Sequence, residues 1–187
     1  YLRYVNAAGV YGKARLPMLS EDKRDWSKVT YIEIPVINNS NSKGAPILPF
    51  FHVDDNTYYC VSQGAGVLIT GNQNGETIAI EMDKDYMVIP AGFKGTIRIP
   101  MSAIESHYTA IEGTTPWSLK NIQQIGFFFN DWGQVDISIG DISVFVSGGD
   151  GESVNTGYGL NMLPVFIALI AASVVLVFVK RYRKICG

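Results

Sequence analysis

Short segments rich in β-branched and aromatic residues recur along residues 1–146, and most of them end at a cluster of turn-forming residues. Residues 29–37 precede an Asn-, Ser- and Gly-rich run at 38–44, and residues 77–82 alternate between apolar and polar side chains. Such alternation is typical of strands that bury one face. No amphipathic helical stretch of useful length interrupts the series. We therefore predict an all-β, antiparallel two-sheet sandwich.

The predicted strands are separated by recognisable turn signals. A tight turn is expected at residues 71–75, and residues 130–133 read as a hairpin that joins the strands on either side. Short turns of helix are expected at 102–104 and 118–122, and a long loop at 105–118, where binding groups tend to gather. The strands themselves are predicted at residues 29–37, 47–53, 57–61, 67–70, 77–82, 86–90, 95–100, 125–129, 135–139 and 141–146.

An uncharged and almost wholly apolar run occupies residues 162–179. As a helix it would extend roughly 27 Å, which is close to the thickness of the hydrocarbon core of a bilayer. Basic residues follow directly in the tail 180–187, and basic residues that flank a transmembrane helix are usually retained in the cytoplasm. We expect a single-pass plasma-membrane protein with an extracellular domain at 1–146, a Gly-rich linker at 147–161, a transmembrane helix at 162–179 and a cytoplasmic C-terminus.

Charge and cysteine content narrow the class of protein further. Four of the fifteen basic residues lie in the tail, so residues 1–152 carry eleven basic and seventeen acidic side chains. That acidic balance argues against binding of nucleic acid, which requires a basic surface. Cys60 and Cys186 are expected on opposite sides of the membrane, so no internal disulfide is predicted, as suits a bacterial surface.

The chain begins at Tyr1 without an export signal, so we expect it to be the C-terminal part of a larger surface protein that could include an upstream catalytic domain.

Three blocks of sequence resemble a known family when taken together. They are residues 25–38, residues 89–104, and the pair 122–129 and 139–145. In order and spacing they resemble jelly-roll carbohydrate-binding modules with a galactose-binding-domain-like fold. The resemblance implies a jelly-roll sandwich that binds a polysaccharide or glycan without catalysis. In such modules two acidic residues commonly open the last strand and can help to hold a structural calcium. Here Gly140 takes the first place, so Asp141 alone is a candidate calcium ligand, and no other cofactor is expected.

The tail resembles the surface-anchoring tails of Gram-positive bacteria. Those tails place a short Leu-Pro-x-Thr-Gly sorting motif before an apolar span and a basic end. Thr156 and Gly157 match the last two positions of that motif, but the Leu and Pro are missing. We therefore expect the helix to be retained in the membrane rather than removed by a sortase.

Enzyme signatures are missing from the sequence. His52 and His107 lie far apart without metal-ligand spacing, and no Gly-x-Ser-x-Gly, P-loop or His-Glu-x-x-His motif occurs. We therefore expect no catalytic activity from this segment.

Recognition of a sugar requires flat apolar faces together with polar groups that meet its hydroxyls. Trp26 is assigned to the core, and at least one side of the strand that contains residues 127–129 is expected to be buried. The candidate ligand-binding residues are those expected on loops, on the 130–133 turn or on a concave sheet face: Trp117, Trp132, Tyr108, His107, Asn130 and Tyr58. The alternative is a structural or protein-binding module that spaces an upstream domain from the membrane.

Overall fold

A computed structural model describes residues 1–7, 10–54, 58–61, 68–84, 86–105, 109–112, 118–130, 135–146 and 152–153. These residues form two antiparallel sheets that pack face to face, which confirms the predicted all-β two-sheet sandwich and is compatible with a jelly roll. In chain order the strands are β1 (Leu2–Val5), β2 (Gly12–Arg15), β3 (Val29–Asn38), β4 (Ala45–His52), β5 (Tyr58–Cys60), β6 (Thr70–Gln73), β7 (Glu76–Ala79), β8 (Glu81–Asp83), β9 (Tyr86–Ile89), β10 (Lys94–Pro100), β11 (Thr109–Glu112), β12 (Gln124–Phe129), β13 (Asp136–Ile139), β14 (Ser143–Val146) and β15 (Glu152–Ser153).

Each sheet has one main row of strands and additional strands that pair beside it. Sheet I has the order β1-β13-β3-β10-β6-β7, and β14 also pairs with β3 and carries β15 on its other side. Sheet II has the order β11-β5-β4-β12-β2, and β9 pairs with both β4 and β8.

The predicted helical turns are confirmed as the helix α1 (Ser102–Glu105) and the 3₁₀ turn Leu119–Asn121, and a further 3₁₀ turn covers Glu21–Lys23.

The core lies between the inner faces of the two sheets and includes the indole ring of Trp26. Trp26 is only 2% exposed, and its ring meets Phe51 edge to face with the centroids 6.2 Å apart. Its indole Nε1–H donates to the carbonyl oxygen of Lys23 at 2.9 Å, so the one polar atom of the side chain is satisfied inside the protein. The packing role predicted for Trp26 is confirmed, as is the predicted burial of the strand at 127–129 on at least one side, because all three phenylalanines are buried. Cys60 is buried as well.

The predicted hairpin at residues 130–133 is wrong. β12 pairs with β4 and β2 in sheet II, whereas β13 pairs with β1 and β3 in sheet I. β12 and β13 therefore belong to different sheets and are not partners in a hairpin. Local turn signals do not distinguish a hairpin from a crossover, because both require the chain to reverse direction.

Two further boundaries differ from the sequence-based expectation. The predicted strand 77–82 is divided into β7, in sheet I, and β8, in sheet II, with buried Ile80 between them. Gly71 lies within β6, and the tight turn is formed by Asn74 and Gly75, both with positive φ (55° and 84°). That pair of angles is typical of a type I′ hairpin, for which Asn-Gly is the favoured sequence.

Two segments predicted to lack regular structure contain short strands. β11 lies within the predicted loop 105–118 and pairs with β5, and β15 lies within the predicted linker 147–161 and pairs with β14. The predicted transmembrane segment 162–179 lies outside the described residues. Among the residues that are described, no helix is long and apolar enough to cross a membrane.

Candidate functional site

The outer face of sheet I is built by the alternation of β3 and β10. On β3 the even-numbered apolar residues from Ile32 to Val36 are buried, so Tyr31 and Glu33 lie on the outer face. On β10 Ile97 and Ile99 are buried, so Arg98 is also on the outer face. The strand register places Arg98 opposite both Glu33 on β3 and Thr70 on β6. Polar side chains from neighbouring strands thus meet on one surface.

Glu33, Thr70 and Arg98 line a groove of about 340 Å³ on that face. Its lining supplies hydroxyl, amide, carboxylate and guanidinium groups, and all of its side chains are polar. The lining residues are Glu33, Thr70, Gly71, Asn72, Thr77, Thr96 and Arg98. The groove can therefore both donate and accept hydrogen bonds across its width.

Glu33 and Arg98 form an ion pair in the groove. Arg98 Nε and Nη2 both donate to Glu33 Oε1, at 3.0 and 2.6 Å. Hydrogen bonding to Glu33 raises the pKa of Arg98. Within the described part of the chain no hydrogen bond engages Glu33 Oε2 or Arg98 Nη1, so an acceptor oxygen and a donor nitrogen remain for a ligand.

An aromatic stack fixes the position of Arg98. Its guanidinium carbon lies 4.2 Å from the ring centroid of Tyr31. Tyr31 in turn stacks on Phe145 of β14, with the ring centroids 4.5 Å apart and the planes 13° from parallel. Cation–π contact and stacking restrict the rotamers of Arg98, which reduces the entropy that a ligand would otherwise have to remove.

The outer face of sheet II is aromatic. Phe50, Tyr58 and Phe128 lie there with ring centroids 4.6–5.4 Å apart, and each is at most 5% exposed. The ammonium of Lys13 lies 4.6 Å from the ring centroid of Tyr58 and 4.9 Å from those of the other two rings. Gly126 makes this arrangement possible, because a Cβ there would collide with the ring of Phe50. The predicted ligand-binding residue Tyr58 thus lies beneath a cation of the same chain.

The structure does not bring Tyr58 and Asn130 together. Tyr58 pairs with His52, and His52 pairs with Gln124 at the start of β12. Asn130 follows the other end of β12 and is only 7% exposed. At about 3.4 Å per strand residue the two positions are roughly 20 Å apart along the sheet. The remaining candidate residues, Trp117, Trp132, Tyr108 and His107, lie outside the described residues, so their role stays a prediction.

Asp141, the candidate calcium ligand, lies between β13 and β14 and is half-buried. No group of three or more His, Cys, Asp or Glu side chains that could hold a metal ion occurs in the described ranges. The preceding Gly140 donates its backbone N–H to the carbonyl oxygen of Pro35 at 2.7 Å, which ties this position to β3. A calcium at Asp141 stays a prediction.

Sequence reasoning missed the groove. The alternation of β3 marks Glu33 as outward-facing, and that of β10 marks Arg98, but neither pattern says that the strands are neighbours. Asn72 falls within the predicted turn at 71–75. The one signal in the sequence that could have located the groove was a pair of opposite charges, Glu33 and Arg98, at outward-facing positions of two predicted strands.

Comparison with protein-family models, with curated proteins and with solved structures found no match for this chain.

Proposed function

We propose that this chain is a non-catalytic carbohydrate-binding module of jelly-roll, galactose-binding-like type, and that the groove on sheet I binds the glycan. The observation that carries the proposal is the neutral, all-polar lining of that groove around the Arg98–Glu33 pair. Sugar hydroxyls are both donors and acceptors, and they require paired groups of both kinds.

The contacts that hold the Arg98 side chain in place favour recognition of a ligand by hydrogen bonds. Arg98 is held by Glu33 on one strand and by Tyr31 against its guanidinium, so its position is set before a ligand arrives. Both ring faces of Tyr31 are engaged, by Arg98 and by Phe145, which leaves polar contacts rather than stacking as the source of affinity in this groove. Preorganised polar groups lower the cost of binding.

The cellular setting remains a proposal that rests on the sequence. The apolar run 162–179 and the basic tail support a single-pass anchor in the plasma membrane, with the sandwich outside and the C-terminus in the cytoplasm. The partners would then be a glycan and the lipid bilayer. The lack of a predicted internal disulfide and the form of the tail favour a bacterial, Gram-positive surface protein.

A spacer or protein-binding module on the cell surface is the second candidate. It is favoured by the outer face of sheet II, where Lys13 covers the rings of Phe50, Tyr58 and Phe128. Among the described residues that cluster offers no open aromatic platform of the kind on which pyranose rings stack.

A glycan-array screen of the full chain in detergent tests the proposal. We expect a defined set of glycans to bind, and Arg98→Ala to weaken that binding at least tenfold, since the loss of a charge-assisted hydrogen bond has about this effect. Arg3→Ala is the matched control, because Arg3 also forms an exposed ion pair on sheet I, with Asp136, but does not line the groove. Absence of glycan binding would favour the spacer.

A further inference from the structure

We infer that the groove on sheet I selects neutral sugars with adjacent hydroxyls over sugars that carry a carboxylate. The inference rests on the proposed carbohydrate binding and specifies its ligand class. It comes from the arrangement of Glu33 and Arg98, which among the described residues are the only charged side chains in the groove lining.

The charge of the lining is balanced. The guanidinium fork of an arginine matches a carboxylate, so an arginine without an acidic partner would favour an acidic ligand. Here Glu33 already holds that position, with Oε1 accepting from both Nε and Nη2 of Arg98. The other lining side chains, those of Thr70, Asn72, Thr77 and Thr96, are uncharged. A ligand carboxylate would therefore lie beside Glu33 and be repelled by it.

The remaining atoms of the ion pair suit a diol. Glu33 Oε2 can accept from one hydroxyl while Arg98 Nη1 donates to its neighbour, and no described residue engages either atom by a hydrogen bond. Two adjacent hydroxyls on one sugar ring present such a donor and acceptor side by side. The lining threonines and Asn72 can bind further hydroxyls of the same chain.

Arg98 is not arranged to leave Glu33 for an anionic ligand. Its guanidinium lies over Tyr31, whose opposite face is covered by Phe145. Movement toward a ligand carboxylate would therefore break the cation–π contact as well as the ion pair. Replacement of Glu33 by Gln should remove the repulsion while it retains an acceptor oxygen for Arg98.

The test measures affinity of the full chain in detergent for neutral hexose tetramers and for uronate tetramers of the same linkage. We expect the wild type to prefer a neutral tetramer at least tenfold, and Glu33→Gln to shift the ratio toward its uronate counterpart by about tenfold or more. Asp136→Asn, which removes an equally exposed carboxylate from the Arg3 pair outside the groove, should leave the ratio unchanged.

The outcomes separate this inference from the proposed function. Wild-type preference for uronates, or a ratio that Glu33→Gln does not move, would overturn the neutral-sugar inference while sugar binding itself stands. A shift of the same size in Asp136→Asn would also overturn it, because a general charge effect would then explain the selectivity. Failure of the wild type to bind any tetramer or array glycan would remove the proposed function. Cooperative thermal unfolding of both variants, followed by circular dichroism, confirms that they are folded.

Discussion

The ammonium of Lys13 lies 4.6 Å from the centroid of the Tyr58 ring. Lys13 is on β2 at the edge of sheet II, and Tyr58 is on β5, from which β2 is separated by β12 and β4. Phe50 and Phe128 complete the cluster at 4.9 Å. Three rings around one ammonium form a favourable electrostatic site, because each aromatic face is negative.

Replacement of Lys13 by Met should destabilise the fold by about 0.5–2 kcal/mol, because it retains an apolar stem but removes the charge that contacts the three rings. Urea unfolding of the two proteins at neutral pH measures the difference. Lys94→Met on sheet I is the control, since Lys94 is an exposed strand lysine that contacts no aromatic cluster among the described residues. Equal effects of the two substitutions would show that the ring contacts contribute nothing specific.

Trp26 supports the core rather than a ligand, so Trp26→Ala should lower the free energy of unfolding by about 3–5 kcal/mol. The substitution leaves a cavity beside Phe51 and removes the hydrogen bond to Lys23. Trp26→Phe should cost less, because it retains most of the packed volume. Chemical unfolding of the two variants tests this order, and a larger loss in the Phe variant would contradict it.

The ion pair between Arg3 and Asp136 should be visible in an acid titration. Two hydrogen bonds from Arg3, at 2.9 and 2.7 Å, and a third from Asn39 hold the pKa of Asp136 below its usual value of 3.8. A lowered folded-state pKa means that this stabilisation is present above about pH 4 and is lost as the pH falls through the lowered value. Arg3→Ala should therefore raise the pKa of Asp136, as followed by NMR of its carboxyl carbon.

Asp25 provides the internal control for that titration. Its pKa is lowered by hydrogen bonding with Ser27, which does not involve Arg3. The titration of Asp25 should therefore be the same in wild type and Arg3→Ala. A parallel rise at both aspartates would indicate a general loss of structure instead of the loss of one ion pair.

The sequence further predicts that Trp117→Ala or Trp132→Ala weakens glycan binding about tenfold or more with little change in thermal unfolding, since a stacking ring contributes on the order of 1–2 kcal/mol. Titration of each purified variant with a glycan found on the array measures this. Unchanged affinity in both variants, together with loss in Arg98→Ala, would assign recognition to the groove on sheet I alone.

The proposed membrane topology is tested by protease added to intact cells. Digestion should remove residues 1–150 and spare the tail, because the basic residues within 180–184 are expected to keep that end in the cytoplasm. Arg in place of Leu169 and Val174 should prevent insertion, since charges at a helix centre cost several kcal/mol. Protection of the sandwich from external protease would reverse the proposed orientation.

The sequence by itself determined the fold class, most strand positions and the burial of Trp26, because alternation and turn residues are local and each strand of a sandwich must bury one face. Only the tertiary structure decided which strands pair. It separated β12 from β13 into different sheets, divided residues 77–82 between the sheets, and placed Arg98 opposite Glu33. Partners in an antiparallel sheet can be distant in the chain, as Glu33 and Arg98 are, and local patterns do not encode which distant strand is the neighbour. A site formed across strands therefore becomes visible only when the register is known.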